Sequence, residues 1–289
     1  MANETSRENR ILAAPVVIFL LAMLGFPAVL DLIYSVSTVS FENLRDPTLS
    51  GFGNYREVLG DPYFWGAVSF STRFGLLTAT LETALGLFLA VFLAPLIQKR
   101  FWLMAIFMMP MIIAPSMMGL MYRLVLHEFV GPLPYYLFEF FGESPAFLSP
   151  QTAFKTMVVI ETLQWTPFTL LLFYTAYSSI PNDIREAAKV DGTRGLRLFT
   201  HIELPALLPT LLVAFGIRFI DGFRVFDNIY VLIGSGAGGS STSLSIYIYT
   251  AFFKSADIGK ALAASVLLFI VAFGLLWLVG WLLKKRKQA

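Results

Sequence analysis

The chain is poor in the residues on which most enzyme centres depend. It contains no cysteine, which excludes disulfides, thiolate metal sites and cysteine nucleophiles. Its two histidines, His127 and His201, are far apart in sequence, so a metal or catalytic site would have to use one of them alone. No GxxxxGKS, GxxxxGKT, HExxH or GxSxG motif occurs. We therefore expect that the chain is not an enzyme and does not itself hydrolyse ATP.

Charge is also scarce. Only 14% of the 289 residues are charged and 57% are hydrophobic, whereas soluble domains carry roughly 25% charged residues. The mean hydropathy is +0.71, which indicates that lipid is the solvent. A spanning helix needs about 20 mostly apolar residues, and six stretches qualify: Ile11–Val36, Ala67–Ala94, Trp102–Leu126, Thr156–Ile180, Ala206–Ile233 and Ile258–Leu283.

These stretches predict an all-α integral membrane protein with six transmembrane helices, forming a single domain over residues 1–289. Its parts are a retained first helix at residues 10–36, core helices at 67–283 and a cytoplasmic loop at 181–205. Proline within several spans predicts kinked, packed helices, because neighbouring helices can satisfy the freed backbone groups. These prolines are Pro15, Pro27, Pro110, Pro115 and Pro167.

Basic residues indicate how the chain is oriented. One set of connecting segments and tails carries twelve: Arg7, Arg10, Lys99, Arg100, Arg185, Lys189, Arg194, Arg197, Lys284, Lys285, Arg286 and Lys287. The opposite loops carry few, among them Arg45, Arg56 and Lys254. Because basic loops stay in the cytoplasm, both termini are predicted to be cytoplasmic. Among the predicted outer segments, residues 37–66 and 127–155 are typical of short interfacial helices and turns. Residues 234–245 are typical of a flexible loop.

The longest cytoplasmic loop has the pattern of a docking element. From Ile180 it reads IPNDIREAAKVDGTRGLRLFTHIELPALLP. Asn182 or Asp183 offers a helix start after Pro181, and Gly192 is expected to end that helix. An apolar strip is predicted on the first short helix: Ile184, Ala187, Ala188 and Val190. The alternative is an amphipathic interfacial helix with solvated basic residues.

The order of residues in this loop is similar to the EAA signature of ABC importer permeases. The matching residues are Glu186, Ala187, Ala188, Asp191, Gly192, Ile202, Leu204 and Pro205. Three further patterns resemble the sugar-permease branch of that family: Gly53-Asn54-Tyr55 with Asp61-Pro62 and Phe64-Trp65, Met109-Pro110 with Pro115 and Gly119, and Phe226-Asp227-Asn228-Ile229-Tyr230 before a glycine-rich loop. At that loop the sequence GSGAGG departs from the TxGGP-like run more often seen in the family.

The resemblance implies a type I ABC importer permease fold in the bacterial cytoplasmic membrane. It implies that Glu186, Ala187, Ala188, Asp191, Gly192, Leu204 and Pro205 couple the chain to an ATPase. The implied partners are a second permease subunit, two copies of a cytoplasmic ATP-binding subunit, a solute-binding protein and a carbohydrate-like solute, with no nucleic acid. No cofactor is expected in this chain, and ATP with magnesium is expected in the partner ATPase.

Polar residues inside the spans form the candidate substrate pathway. A charge at mid-bilayer costs roughly 2.5–3.5 kcal/mol on insertion scales, so such residues usually face a cavity or a partner. The candidates are Gln164, Trp165, Arg218, Asp221, Phe226, Asp227, Asn228 and Tyr230. Glu161, Glu82 and Arg73 are further polar residues in spans. The alternative is internal ion pairing that only holds helices together, with Arg218–Asp221 and Arg224–Asp227 as the natural pairs.

Two other functions compete with an ATP-driven importer. The chain would be a secondary transporter if its intramembrane acidic residues bound protons or sodium, but no inverted repeat is evident. A membrane-embedded enzyme is disfavoured because catalytic motifs are missing. The solute stays open at this point, because maltose-like sugars, polyols, glycerol phosphates and anionic sugar derivatives all fit the sequence.

Overall fold

A computed structural model of the protein describes residues 13–234 and 241–286, which are mostly helical. They fall into two compact units, one formed by residues up to Pro62 with Tyr247–Ile270, the other by Tyr63–Ile246 with the residues from Val271 onward. Several sequence features lie outside the described residues: the start of the predicted first helix, Arg7, Arg10, most of the glycine-rich segment 234–243, and Lys287.

The first unit begins with α1, Ala13–Ser35, whose most apolar stretch has no buried residue. A π-helical turn, Leu21–Gly25, lies inside it just before Pro27. A two-stranded antiparallel sheet follows, β1 Ser37–Thr38 and β2 Thr48–Leu49, and then α2, Gly53–Gly60. An exposed apolar helix is stable in lipid because its backbone bonds are internal. The small sheet was not predicted.

The residues of the Gly53-Asn54-Tyr55 and Asp61-Pro62 patterns tie this unit together. The amide of Asn54 donates to the carbonyls of Ser35 and Ser37, at 3.0 and 2.8 Å, and so satisfies carbonyls at the end of α1. Asp61 accepts a 2.8 Å hydrogen bond from Tyr247 and lies 3.1 Å from Lys260 Nζ. Burial first, and then this hydrogen bond, raise the pKa of Tyr247, so its hydroxyl stays a donor.

The second unit holds most of the helices. They are α3 Pro62–Lys99, α4 Trp102–Ile112, α5 Pro115–Val125, α6 Pro132–Phe141, α7 Ala153–Ser178, α8 Asn182–Val190, α9 Leu196–Leu198, α10 Leu204–Phe223 and α11 Asp227–Ile233. A further helix, α12 Leu244–Tyr249, begins in this unit and ends in the first. A π-helical turn, Phe199–Glu203, joins α9 to α10. Another, Thr250–Lys254, follows α12 and belongs to the first unit, and α13, Ile258–Arg286, has residues in both units.

The predicted third helix is in fact two helices. α4 and α5 meet at an angle of 81°. Ala114 has φ −58° and ψ 138°, the extended conformation that a following proline favours, and Pro115 occupies the first turn of α5. Pro110 and Pro167, in contrast, lie within α4 and α7 without ending them.

Close packing of α3 against α10 depends on two glycines. A Cβ added at Gly75 would lie 2.9 Å from the backbone nitrogen of Phe223, and one at Gly222 would lie 2.9 Å from the Cα of Gly75. Small residues at a crossing are the usual way for membrane helices to approach closely. Among the four long apolar runs described below, α7 is the most enclosed, with 61% of its most apolar stretch buried.

Four described helical runs are long and apolar enough to span a bilayer: Ala13–Ser35, Pro62–Lys99, Ala153–Ser178 and Leu196–Ile233. The bent pair of α4 and α5 provides a fifth, and Ile258–Gly274 is a shorter apolar helix. The fold is thus an all-α membrane fold, and the count of six spans stays a prediction. At about 1.5 Å per residue, α3 is roughly 57 Å long, so it must extend beyond a hydrocarbon core of about 30 Å.

Candidate functional site

A cavity of about 400 Å³ opens within the second unit. Its lining residues are Pro115, Glu161, Trp165, Arg218, Asp221, Arg224, Val225, Phe226, Asp227 and Asn228. Six of the eight predicted pathway residues are among them: Trp165, Arg218, Asp221, Phe226, Asp227 and Asn228. The other two do not line it. Gln164 is fully buried and contacts Asn228, and Tyr230 stacks on Phe226 with ring centroids 5.1 Å apart.

The cavity forms where the predicted fifth helix is interrupted. α10 ends at Phe223 and α11 begins at Asp227, so the expected continuous helix Ala206–Ile233 is wrong at residues 224–226. Two serine hydroxyls satisfy carbonyls freed by the break. Ser245 donates to Arg224 at 2.8 Å and Ser243 to Val225 at 2.6 Å. Broken helices are tolerated at membrane depth when such groups are re-satisfied and the break lines a cavity.

Arg218 is the electrostatic centre of the site. It is 1% exposed, and its guanidinium contacts three carboxylates. Nε pairs with fully buried Glu82, Nη2 lies 3.4 Å from Glu161, and Nη1 lies 3.2 Å from Asp221. The guanidinium also lies 4.5 Å from the centre of the Trp165 ring, in a cation–π contact. A buried guanidinium requires such compensation.

Glu82 and Glu161 were not among the predicted pathway residues. Their position within apolar spans was the available signal, since a charged residue in a span needs a partner. Sequence alone did not reveal which partner, because Glu82 and Arg218 are 136 residues apart.

One of the two predicted ion pairs is present. Arg218 pairs with Asp221, but Arg224 also pairs with Asp221, its Nη2 lying 2.9 Å from Oδ1, in place of the expected Asp227. The reason is the helix break, which separates Arg224 from α11. Arg224 stays within one helical turn of Asp221, at the end of α10. Asp227 is exposed and lines the cavity.

Asn228 belongs to a second buried network. Its amide donates to Glu161 at 2.7 Å and to Gln164 at 3.0 Å, and Gln164 donates at 2.9 Å to the carbonyl of Ile113 at the bend between α4 and α5. Asn228 Oδ1 is buried and has no hydrogen-bond partner among the described residues. Both neighbours of its NH2 group are acceptors, which fixes the orientation of the amide.

The EAA-like loop forms a short exposed helix, α8. Glu186 and Ala187 are exposed and Ala188 is buried, while Ile184 and Val190 are 48% and 88% exposed. The predicted apolar strip is therefore mostly uncovered within this chain. In a water-facing loop such a strip fits contact with another protein.

Gly192 ends α8 in the left-handed conformation, with φ of +78°. The N–H of Thr193 donates to the carbonyl of Ala188 at 2.9 Å and that of Asp191 to Ala187 at 3.1 Å. The first bond is the six-to-one bond of a Schellman motif, in which glycine is preferred. Leu204, half-buried, then begins α10, with exposed Pro205 in its first turn.

A cluster that the sequence did not reveal fixes α8 to the adjacent helices. Arg185 Nε lies 2.9 Å from Oε1 of Glu203, and its Nη2 donates to the carbonyl of Tyr177 at 2.9 Å. The guanidinium also lies 4.3 Å from the centre of the Tyr177 ring, and the Tyr177 hydroxyl donates to Glu203 at 2.9 Å. These three residues connect α8 to the end of α7 and to the π-helical turn before α10.

Long apolar helices around a broken, charge-lined core, together with an exposed loop helix, are the features of a membrane permease. The model of the family described as "Binding-protein-dependent transport system inner membrane component" matches residues 7–288. The chain belongs to this family.

Named relatives and solved structures agree with that assignment. The chain is 31% identical over 268 residues to the probable ABC transporter permease protein y4oQ of Sinorhizobium fredii, covering 91% of this chain and 87% of that protein. It is 34% identical over 223 residues to the trehalose/maltose transport system permease protein MalF of Thermococcus litoralis, covering 76% and 75%. Its fold is similar to a chain in the crystal structure of a bacterial ABC transporter that imports the acidic polysaccharide alginate, with a TM-score of 0.84, 19% identity and 99% coverage of both chains.

Proposed function

We propose that the chain is the permease subunit of an ATP-driven importer that moves a sugar or sugar-like solute, delivered by a binding protein, across the cytoplasmic membrane. The observation that supports it most is the charge-lined cavity at a helix break, in the same unit as an exposed EAA-like helix. The first feature suits a solute path and the second suits docking of a motor subunit.

The carbohydrate class is supported by the lining and by the relatives. Trp165 and Phe226 offer aromatic faces, while the exposed carboxylate of Asp227 offers a hydrogen-bond acceptor. Sugars have apolar faces and hydroxyl edges, so a pocket that combines the two suits them. Named relatives include trehalose and trehalose/maltose transport permeases.

The coupling role is assigned to Glu186, Ala187, Ala188, Asp191, Gly192, Leu204 and Pro205. α8 exposes Ile184 and Val190, and Arg185 fixes the helix to α7 and to the turn before α10. A motion imposed on α8 by a closing ATPase would therefore reach the helix that carries Arg218.

The remaining partners and the orientation follow from the same proposal. Six spans supply half of the wall around a central path, which calls for a second permease, and each permease offers one docking loop for one of two ATPase subunits. ATP and magnesium belong to those subunits. The basic segments support an orientation in which both termini, and α8, are cytoplasmic.

An ion-coupled secondary transporter is the second candidate, and the cavity disfavours it. A cation site would need a carboxylate with free coordination, but Glu82, Glu161 and Asp221 all contact Arg218. Among the acidic lining residues, only Asp227 has an exposed carboxylate that would face an ion.

The test is co-expression of tagged permease with its genomic neighbours, followed by purification and uptake in proteoliposomes. We expect an ATPase and a second permease to co-purify, and sugar uptake to require ATP and binding protein. Uptake by this chain alone that collapses with an ionophore and persists without ATP would refute the importer.

A further inference from the structure

The cavity contains more acidic than basic side chains. Three carboxylates line it, those of Glu161, Asp221 and Asp227, against two guanidiniums, those of Arg218 and Arg224. Glu82 adds a fourth carboxylate directly behind Arg218. Ionised, these groups carry four negative and two positive charges. An anionic solute entering a partly desolvated site of this composition is repelled, since few waters screen the charges there.

Arg218 is fully engaged by carboxylates and Arg224 is engaged in part. Arg218 is enclosed by Glu82, Glu161 and Asp221, and Arg224 contacts Asp221 through Nη2. A phosphate, sulfonate or carboxylate is held most strongly by a free guanidinium that donates two parallel hydrogen bonds. At Arg218 an anionic solute would first have to displace an existing carboxylate, leaving that carboxylate without its partner; Arg224, whose side chain is 64% exposed, is held by Asp221 through one nitrogen.

The lining instead offers acceptors. The Asp227 carboxylate is exposed to the cavity, and the buried Oδ1 of Asn228 has no partner among the described residues. Glu161 and Gln164 fix the orientation of the Asn228 amide by accepting from its NH2 group. If the amide flipped, its oxygen would face these two acceptors instead. The accessible carboxylate of Asp227 is complementary to a ligand that brings hydroxyl donors.

We propose that this cavity selects an uncharged, hydroxyl-rich solute and rejects anionic derivatives of the same sugar, and that Asp221 is the residue that sets this preference. Asp221 contacts both arginines, so its removal would release Arg224, take one of three carboxylate partners from Arg218 and lower the carboxylate excess. The inference rests on the proposed function and narrows its solute class.

Cysteine chemistry tests the charge of the cavity without knowledge of the solute, because the chain has no cysteine of its own. Phe226→Cys places a thiol in the lining, and Gly51→Cys, at an open position in the first unit, is the control. In the assembled complex in nanodiscs, each variant reacts with cationic methanethiosulfonate ethyltrimethylammonium, anionic methanethiosulfonate ethylsulfonate and a neutral methyl analogue. The ratio of the cationic to the anionic rate cancels the intrinsic reactivity of each thiol.

We expect this ratio to be about tenfold higher at Phe226→Cys than at Gly51→Cys, the size of effect that one or two nearby net charges produce at partial burial. Adding Asp221→Asn should reduce it by about threefold or more, because one carboxylate is lost and Arg224 is released. Asp227→Asn, on an exposed side chain, removes the same charge without releasing either arginine and should have the smaller effect.

Three results would overturn the proposal. One is a ratio at Phe226→Cys equal to or below that of the control. Another is no reaction with any of the reagents, which would show that the lining is closed to solutes. The third is uptake by the parent importer of a sugar 6-phosphate or hexuronate as fast as its neutral counterpart. Failure of the importer function itself would be seen separately, as absence of ATP-dependent uptake of every sugar.

Discussion

The pair between Glu82 and Arg218 allows a quantitative prediction of stability. It joins α3 to α10 at a point where Glu82 is fully buried and Arg218 is 1% exposed. The informative change is Glu82→Gln, which removes one charge and nearly preserves shape. Arg218 then loses its closest carboxylate.

The expected cost follows from what Arg218 retains. Removing one partner of a buried ion pair costs about 3–5 kcal/mol, because it leaves a charge uncompensated. Glu161 and Asp221 remain within 3.4 and 3.2 Å, so the low end of that range, about 3 kcal/mol, applies. For a chain of this size, each kcal/mol lowers the melting temperature by roughly 2–4 °C, giving a decrease of about 6–12 °C.

The assay is thermal unfolding of purified protein in detergent, followed by intrinsic tryptophan fluorescence. Glu139→Gln is the matched control, because Glu139 is exposed on α6 and its change should stay within about 0.5 kcal/mol, or roughly 2 °C. If Glu82→Gln melts within about 2 °C of the parent, the pair does not hold these helices together and the account of Arg218 as an electrostatic centre fails.

Two further predictions concern helix packing and the loop. Gly75→Ala should destabilise the protein by about 1–3 kcal/mol, because its Cβ would meet the backbone of Phe223. The control is Gly66→Ala on the same helix, which should be neutral or slightly stabilising. Equal amounts of monodisperse protein for both variants in fluorescence-detected chromatography would contradict this. Arg185→Gln should leave the ATPase bound but lower the uptake per ATP hydrolysed. Tyr177→Phe removes one hydroxyl from the same cluster and should have a smaller effect in the same assay. Normal coupling in Arg185→Gln would show that the cluster is not needed.

The membrane character and most helices could be predicted from the sequence, because a bilayer fixes the length and apolarity of a span. Pro115 indicated a bend in the third helix, but the angle of 81° between its two halves depends on packing. The break at residues 224–226 contains neither proline nor glycine. It depends on Ser243 and Ser245, which lie about 20 residues away and satisfy the freed carbonyls.

The candidate site was predicted in part for a similar reason. Polar residues in apolar spans are conspicuous, so six lining residues were recognised individually. Their partners depend on which helices pack together, and this is why Glu82 and the double role of Asp221 emerged only from the structure. The same holds in the loop, where Gly192 was evident from its pattern but the contact between Arg185 and Glu203 was not.

The central claim is that α8 couples this chain to an ATPase, and two glycines allow a controlled test. Gly192 and Gly142 have φ values of +78° and +77°, and neither has another atom within 4 Å of an added Cβ. Valine at either position should therefore cause similar strain, roughly 1–2 kcal/mol. This strain would shift the equilibrium between the native turn and a relaxed conformation by about 5- to 30-fold. Gly142 lies at the end of α6, in a predicted outer segment.

The measurement is the amount of ATPase that co-purifies with each tagged, correctly folded variant, together with uptake. We predict that Gly192→Val loses most of its ATPase and its uptake, whereas Gly142→Val retains both. Parental ATPase binding and uptake in Gly192→Val, or equal losses in the two variants, would contradict the coupling role of this loop.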